Sequence, residues 1–292
     1  MPGAKTSLDD LRRGIDEIDD ALHDLLMRRT RIVKEIRAAK GGQTGLIRPG
    51  REAQILRRLM ARHRGAFPKP VVARIWRDIV TASTTLQDPF VVAVHAPPGG
   101  PDLRSRVRDH YGALTPLTGY ESAMGVLRAV TEGAATIGVL PLPEGDDEDP
   151  WWPSLASDSQ STPRIVARLP FALMEPSPGE GIEGLAVAMA LHEESGLDHS
   201  YVVVETAEQL SRGALTGLLA AAGIEVLDIR HWDEQSAQRL HLAEVEGYLA
   251  AGDRRLAELG RDGEALKSWV IGGYAVPLSA AQLAPANDEE DA

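Results

Sequence analysis

Residues 7–38 carry one unbroken apolar stripe, and that stripe limits what the chain can fold into more than any other feature. At about 100° per residue, Leu11, Ile15, Ile18, Leu22, Leu25, Ile32 and Ile36 share one face, the pattern of an amphipathic helix. Ser7 followed by Asp10 gives a capping-box-like start, and Gly41, Gly42 and Gly45 give the stop. Such a helix runs about 48 Å. Its own small module is too short to cover it, so the pattern predicts packing against a partner chain. Two cations interrupt the stripe. With Leu22 at zero, Arg29 falls near about −20° and Lys40 near about 0°. An unpaired buried charge costs several kcal/mol, so these two require an anion.

A second helix is expected over 51–64, with Ile55, Leu56 and Leu59 inward, and a third over 70–87, with Val72, Ile75, Trp76 and Ile79 inward. Ser83 and Gln87 fall within about 50° of the third helix's stripe. The polar set on these helical faces is therefore Arg29, Lys40, Arg51, Glu52, Ser83 and Gln87. Internal pairing, for example Arg29 with Glu52, is one way to satisfy it. The cations outnumber Glu52 three to one, however, and an incoming anion with two carboxylates would restore the balance, since the Arg fork suits carboxylate. Arg12 lies on the shoulder of the stripe, placed to reach a neighbouring chain or to stay solvated.

Charge divides the chain sharply. Residues 1–87 carry 18 Lys+Arg against 10 Asp+Glu, and the remainder carries 13 against 33. The basic first part suits a small anion, nucleic acid or an acidic neighbour, but the acidic remainder would repel phosphates and argues against nucleic acid. There is no cysteine, which excludes disulfides and thiolate metal sites. The His residues show no metal-ligand spacing, and no metal or cofactor is expected. With no signal-like N-terminus and no apolar run long enough to span a bilayer, the expectation is a cytoplasmic protein without membrane contact.

From Pro89 the rhythm changes. "FVVAVHAPPGG", "GAATIGVLPLP", "TPRIVARLPFALM" and "GLAVAMAL" read as strands, with a helix in "ESAMGVLRAV", which suggests an α/β sheet. "EGDDEDPWWPSLASDSQSTP" reads as an exposed loop, with Trp151 and Trp152 packed on the domain surface or serving as a docking patch. From Asp198 the order strand, helix, strand, strand, helix, strand is the ferredoxin-like pattern. The expected architecture is thus a multidomain α plus α/β chain. Its parts are a three-helix module at 1–88, an α/β domain at 90–195, a ferredoxin-like unit at 197–278 and a disordered acidic tail at 279–292.

Residues 8–87 resemble the all-helical chorismate mutases, through "LRRGIDEIDDALHDLLMRR", Lys40, "RPGREAQIL" and the closing Ser83 and Gln87. The resemblance implies an intertwined homodimer with shared active sites, in which one chain donates Arg12 to the other. It implies that Arg12, Arg29 and Arg51 hold the two carboxylates of chorismate and that Ser83 lines their pocket. Lys40 and Gln87 would point at the ether oxygen, and Glu52 would accept from the ring hydroxyl and help orient Lys40. Where the family often has Asp or a similar acceptor before the second helix, this chain has Arg48, which weakens hydroxyl recognition.

Residues 90–277 resemble, more faintly, a prephenate dehydratase (a periplasmic-binding-like fold) with its ACT domain. The Thr and Arg of that family's Thr-Arg-Phe signature appear here as His199 and Ser200, and its Glu-Asn-Ser turn as Pro143, Glu144 and Gly145. The resemblance therefore implies a degenerate dehydratase-like region without that activity. His199 is read either as a replacement acid or as a structural group. Gly213 stands where the ACT backbone meets an amino-acid effector such as phenylalanine. The functional expectation is a chorismate mutase with a regulatory or structural second half. A bifunctional mutase–dehydratase and a non-catalytic metabolite sensor are its rivals.

Overall fold

The computed structural model describes residues 7–39, 47–100, 102–145, 149–172, 182–207, 210–233, 238–259 and 265–284. Three helices open the chain: α1 (Leu8–Ala39), α2 (Pro49–Arg62) and α3 (Lys69–Thr85). Ser7 caps α1 by accepting from the Asp10 amide at 3.1 Å. Prolines stand in the first turns of α2 and α3, where no amide hydrogen is missed. α1 has no buried residue: Leu11, Ile15, Ile18, Leu22 and Leu25 are each more than half exposed. The stripe is present and uncovered in the single chain.

α2 and α3 bury faces shifted from those expected: Leu56 is buried and Leu59, Val72 and Trp76 pack partly against the same core, but other residues lie deepest. On α3 the buried residues are Ala73, Arg77, Val80, Ser83 and Thr84, while Ile75 is exposed. On α2 they are Gly50, Ala53, Leu56 and Met60, with Ile55 and Leu59 only half-buried. The cause is the rest of the chain. Ala53, Leu56, Met60 and Ala73 share a core with Phe171, Ala275, Leu278 and Leu283, so both helices turn one face to the sheet.

The remainder forms one nine-stranded sheet. Its elements are β1 (Val92–His95), α4 (Leu103–Tyr111), β2 (Leu117–Tyr120), α5 (Ala123–Thr131), β3 (Ile137–Pro141), β4 (Arg164–Leu169), β5 (Gly184–Ala188), β6 (Asp198–Ala207), α6 (Arg212–Ala221), β7 (Val226–Asp233), β8 (Gln238–Glu246), α7 (Arg254–Leu259), β9 (Ala265–Ala275) and α8 (Ala280–Leu283). Strand order is β2-β1-β3-β5-β4-β9-β6-β8-β7. β1 runs parallel to β2 and β3; Val92 and Val94 face the α4 core, and Ala93 faces the α5 core, the period of two expected of a strand. From β6 onward the neighbours β9-β6-β8-β7 are all antiparallel, which is the ferredoxin-like arrangement expected of this segment.

The two parts of the sheet meet where β4 lies parallel to β9, at Ile165 and Gly272. Gly272 has φ +121°, and a Cβ there would stand 2.1 Å from the Ile165 carbonyl oxygen, so only glycine permits this approach. Trp151 and Trp152, expected at the surface, are buried to 2% and 1% in the main core instead, held by a 3-10 turn at Trp152–Leu155. The Trp151 indole donates to the Pro141 carbonyl at 3.2 Å, which removes the cost of burying its N–H. Residues 279–283 were expected to open an acidic tail. They form α8 with a capping box at Ser279 and a buried Leu283, while 285–292 lie outside the described residues. No helix among the described residues is long and apolar enough to cross a membrane.

Three arginines fasten the helices to the sheet. Arg57 of α2 donates to the carbonyls of Ser195, Leu197 and Val276 and to the Ser195 hydroxyl, at 2.7–3.3 Å. Arg48, just ahead of α2, pairs with Glu193 at 2.8 Å. The Arg77 guanidinium of α3 lies 4.8 Å from the centroid of the Phe171 ring beyond β4, and it also joins α2 through Glu52, as described below. The backbone of α2 lies so close to the sheet module that a Cβ at Gly50 would come 2.8 Å from the Glu193 carbonyl oxygen.

Candidate active site

α1 and α3 meet through their polar residues. Arg29 donates to the Ser83 hydroxyl, Ser83 donates onward to the Ile79 carbonyl at 2.7 Å, and the Gln87 amide donates to the Ser83 carbonyl at 3.1 Å. Arg29, Ser83 and Gln87, all singled out from the sequence, thus lie together. Burial lowers the pKa of Arg29, the signature of a guanidinium taken out of water without a carboxylate beside it. At the far end of this helix pair, Arg37 pairs with Asp88 at 3.0 Å.

Arg12, Arg51 and Glu52 hold other partners in the single chain. Arg12 is exposed and meets only Asp9, at 3.4 Å. It lies 17 residues before Arg29, about 26 Å away along the helix. Arg51 is exposed and bonded to Gln54 at 3.4 Å. Lys40 lies outside the described residues, directly after the end of α1.

Glu52 does not pair with Arg29. Its Oε2 accepts from Arg77 at 3.0 Å, and both side chains are largely buried. Burial pushes the Glu52 carboxyl up, Arg77 pulls it back down, and nearby Glu193 pushes it up again, for a net rise. Glu52 also lines a small cavity with Thr81, Thr84, His110 and Tyr111. Arg77, Glu193, His110 and Tyr111 were not singled out from the sequence. Arg77 was findable, because it sits on the same helical face as Ala73, Val80 and Thr84. The other three come from the sheet module, and local sequence carries no signal for them.

A second polar cluster crosses the sheet. His199 meets the Tyr274 hydroxyl at 3.1 Å, and Tyr274 donates to Glu244. Tyr201 donates to Glu244 at 3.1 Å, and Arg168 donates to Tyr274 at 2.8 Å and to Glu183 at 2.7 Å. Burial alone would raise the Glu244 carboxyl. Hydrogen bonds from His199, Tyr274 and Tyr201, with the charge of Arg168, outweigh it and bring it down to about 2. Ser200, at the position of the dehydratase Arg, is fully buried, donating to the Gly247 carbonyl and accepting from the Leu249 amide, both at 2.8 Å. Its role here is to hold a turn.

A carboxyl lowered by folding contributes stability that is complete above its ordinary pKa of 4.5 and lost as pH falls through about 2. Glu244→Gln is therefore expected to lower stability at neutral pH by about 3 kcal/mol. Urea denaturation of variant and wild type should show that gap at pH 7 and a much smaller one at pH 3. An equal gap at both values would mean that the network does not hold the charge.

Among the described residues, no three His, Asp or Glu side chains converge as a metal site. The type II chorismate mutase family matches residues 11–88. The bifunctional chorismate mutase/prephenate dehydratase of Pseudomonas aeruginosa is 30% identical over 138 residues, covering 45% of this chain and 38% of that protein. That of Stutzerimonas stutzeri is 28% identical over the same length and covers the same shares. The chain's match therefore spans well under half the length of these relatives. Among solved structures, the prephenate dehydratase of Streptococcus mutans is 15% identical, covering 65% of this chain and 99% of that one at a TM-score of 0.44.

Proposed function

We propose that this chain, whose residues 11–88 form a chorismate mutase domain of type II, converts chorismate to prephenate as a homodimer with shared sites. One observation carries the reading: a half-buried Arg29, with no carboxylate partner among the described residues, beside Ser83 and Gln87 within that domain. Arg29 and Arg51, with Arg12 from the second chain, would hold the substrate's two carboxylates in Arg forks. Ser83 would line that pocket, and Glu52 would accept from the ring hydroxyl. The reaction is an intramolecular rearrangement. It requires no nucleophile, proton shuttle or metal, only that the enolpyruvyl arm be held over the ring and that the negative charge growing on the ether oxygen be stabilised. Lys40 and Gln87 are the donors proposed for that oxygen.

The reading divides the chain into a mutase at 1–88, a dehydratase-like domain at 90–195 and an ACT-like unit at 197–278, and takes the enzyme to be cytoplasmic. The second half is proposed to be structural or regulatory. His199 is committed to Tyr274 and Glu244, and Ser200 to a turn, so neither supplies the hydroxyl and cation that loss of water and carbon dioxide would need. An amino acid bound near Gly213 is the proposed form of regulation. The deciding experiment incubates the full chain with chorismate and separates the products before and after acid treatment. Prephenate alone is expected. Phenylpyruvate without acid would restore the bifunctional alternative, and intact chorismate would overturn the mutase and leave a metabolite sensor.

A further inference from the structure

Arg77 stands in an unusual place for a cation. It lies on the face of α3 that packs toward the sheet, and its side chain is only 10% exposed. One nitrogen donates to Glu52 Oε2 at 3.0 Å, and its guanidinium carbon lies 4.8 Å from the centroid of the Phe171 ring. Phe171 is itself buried and belongs to the sheet module, two residues beyond β4. The ring thus meets the guanidinium as a cation–π partner while Glu52 binds one of its nitrogens, two contacts that suit Arg better than Lys. Among the described residues, no other donor reaches Glu52, so Oε1 stays available to a further donor.

We infer that Arg77 is a positioning residue of the helical site: seated on Phe171, it grips Glu52 by one carboxylate oxygen and leaves the other for the substrate's ring hydroxyl. This deepens the mutase reading and rests on it. A glutamate has three rotatable bonds, and a grip at one oxygen removes most of that freedom before substrate arrives. The grip also sets charge. Glu52 faces Arg77 from α3, Glu193 from the segment between β5 and β6, and His110 and Tyr111 from α4, with Arg48 drawing Glu193 aside at 2.8 Å. Burial holds His110 neutral well below its usual range and holds the Tyr111 phenol protonated. Arg77 is then the cation that keeps Glu52 ionised against burial and Glu193, so that it accepts a hydrogen bond from a hydroxyl.

The test uses the full chain and four variants: Arg77→Met, Arg77→Lys, Phe171→Leu and Glu52→Gln. Prephenate formation by wild type comes first; if chorismate is untouched, the mutase reading fails and takes this role with it. With wild type active, Arg77→Met is expected to raise KM by about tenfold or more, the size of one lost hydrogen bond to a charged group, with a smaller change in kcat. Without Arg77 the Glu52 carboxyl rises further, so the acidic limb of kcat/KM moves to higher pH. Adding Glu52→Gln to Arg77→Met should abolish that limb. Arg77→Lys should return the limb toward its wild-type position and only part of KM. Should Arg77→Met fail to fold, Phe171→Leu removes the ring contact and keeps the pair, and a several-fold rise in KM is expected of it. A variant that folds, denatures more readily, and keeps the wild-type KM and pH profile would make the pair a structural salt bridge only and overturn the inference.

Discussion

Replacing Lys40 with alanine is expected to cut kcat by about 10²–10³-fold while KM for chorismate changes little, the pattern of a donor whose interaction is made mainly in the transition state. The argument begins with the bond that breaks. As the ether C–O bond opens, charge builds on oxygen faster than the new C–C bond disperses it, and a fixed cation there lowers the barrier without tightening ground-state binding. Lys40 follows α1 directly in the sequence, and Gln87 is already gathered beside Ser83. Gln87→Ala removes a neutral donor from the same oxygen and should cost less than Lys40→Ala. Arg29→Ala should act differently, raising KM first, because the carboxylate it is proposed to hold is charged before and after reaction. Steady-state loss of chorismate absorbance gives both constants. An unchanged kcat in Lys40→Ala would remove Lys40 from the chemistry.

The helical cluster was legible because its signal is local. Charges and amides on an apolar stripe stand out at 3.6 residues per turn, and Arg29, Ser83 and Gln87 meet as that stripe implies. The ferredoxin-like order was legible for the same reason, since each strand alternates over its own length. What failed was long-range. α3 was read with Val72, Ile75, Trp76 and Ile79 inward; Val72 and Trp76 do touch that core, yet its deepest face is that of Ala73, Arg77 and Val80, a choice made by Phe171, Leu278 and Leu283 far along the chain. Glu52 followed that face to Arg77. α4 went unassigned although Leu103, Val107 and Tyr111 recur every four residues. It is nine residues long and flanked by glycines, and β2 after it is four residues at the sheet edge. The tryptophan pair was misplaced because its acidic, proline-bounded setting reads as loop, and nothing local shows the cavity that two indoles fill.

The second large effect is expected at Leu22. Leu22→Asp should convert a dimer to a monomer on size-exclusion chromatography with light scattering, and abolish mutase activity in the same sample. α1 has 32 residues and none is buried, while ten of its large apolar side chains, from Leu8 to Ile36, are between 39% and 62% exposed. Burying the exposed part of each is worth on the order of 1 kcal/mol, so two such helices face to face gain on the order of 20 kcal/mol. That is a little above the upper end of what association costs in lost freedom, so the interface holds with little to spare. Leu22 lies near the middle of α1. When a long helix pairs with its own copy about a two-fold axis, residues at the middle meet themselves, and a carboxylate there meets a carboxylate. Activity should vanish with the dimer, because Arg12 stands about 26 Å along the helix from Arg29 and is proposed to complete a neighbour's site instead. Arg12→Ala separates the two effects: the dimer should persist, and KM alone should rise by about tenfold or more, as for one lost charged contact. A wild-type chain that is monomeric and active would refute the shared site outright.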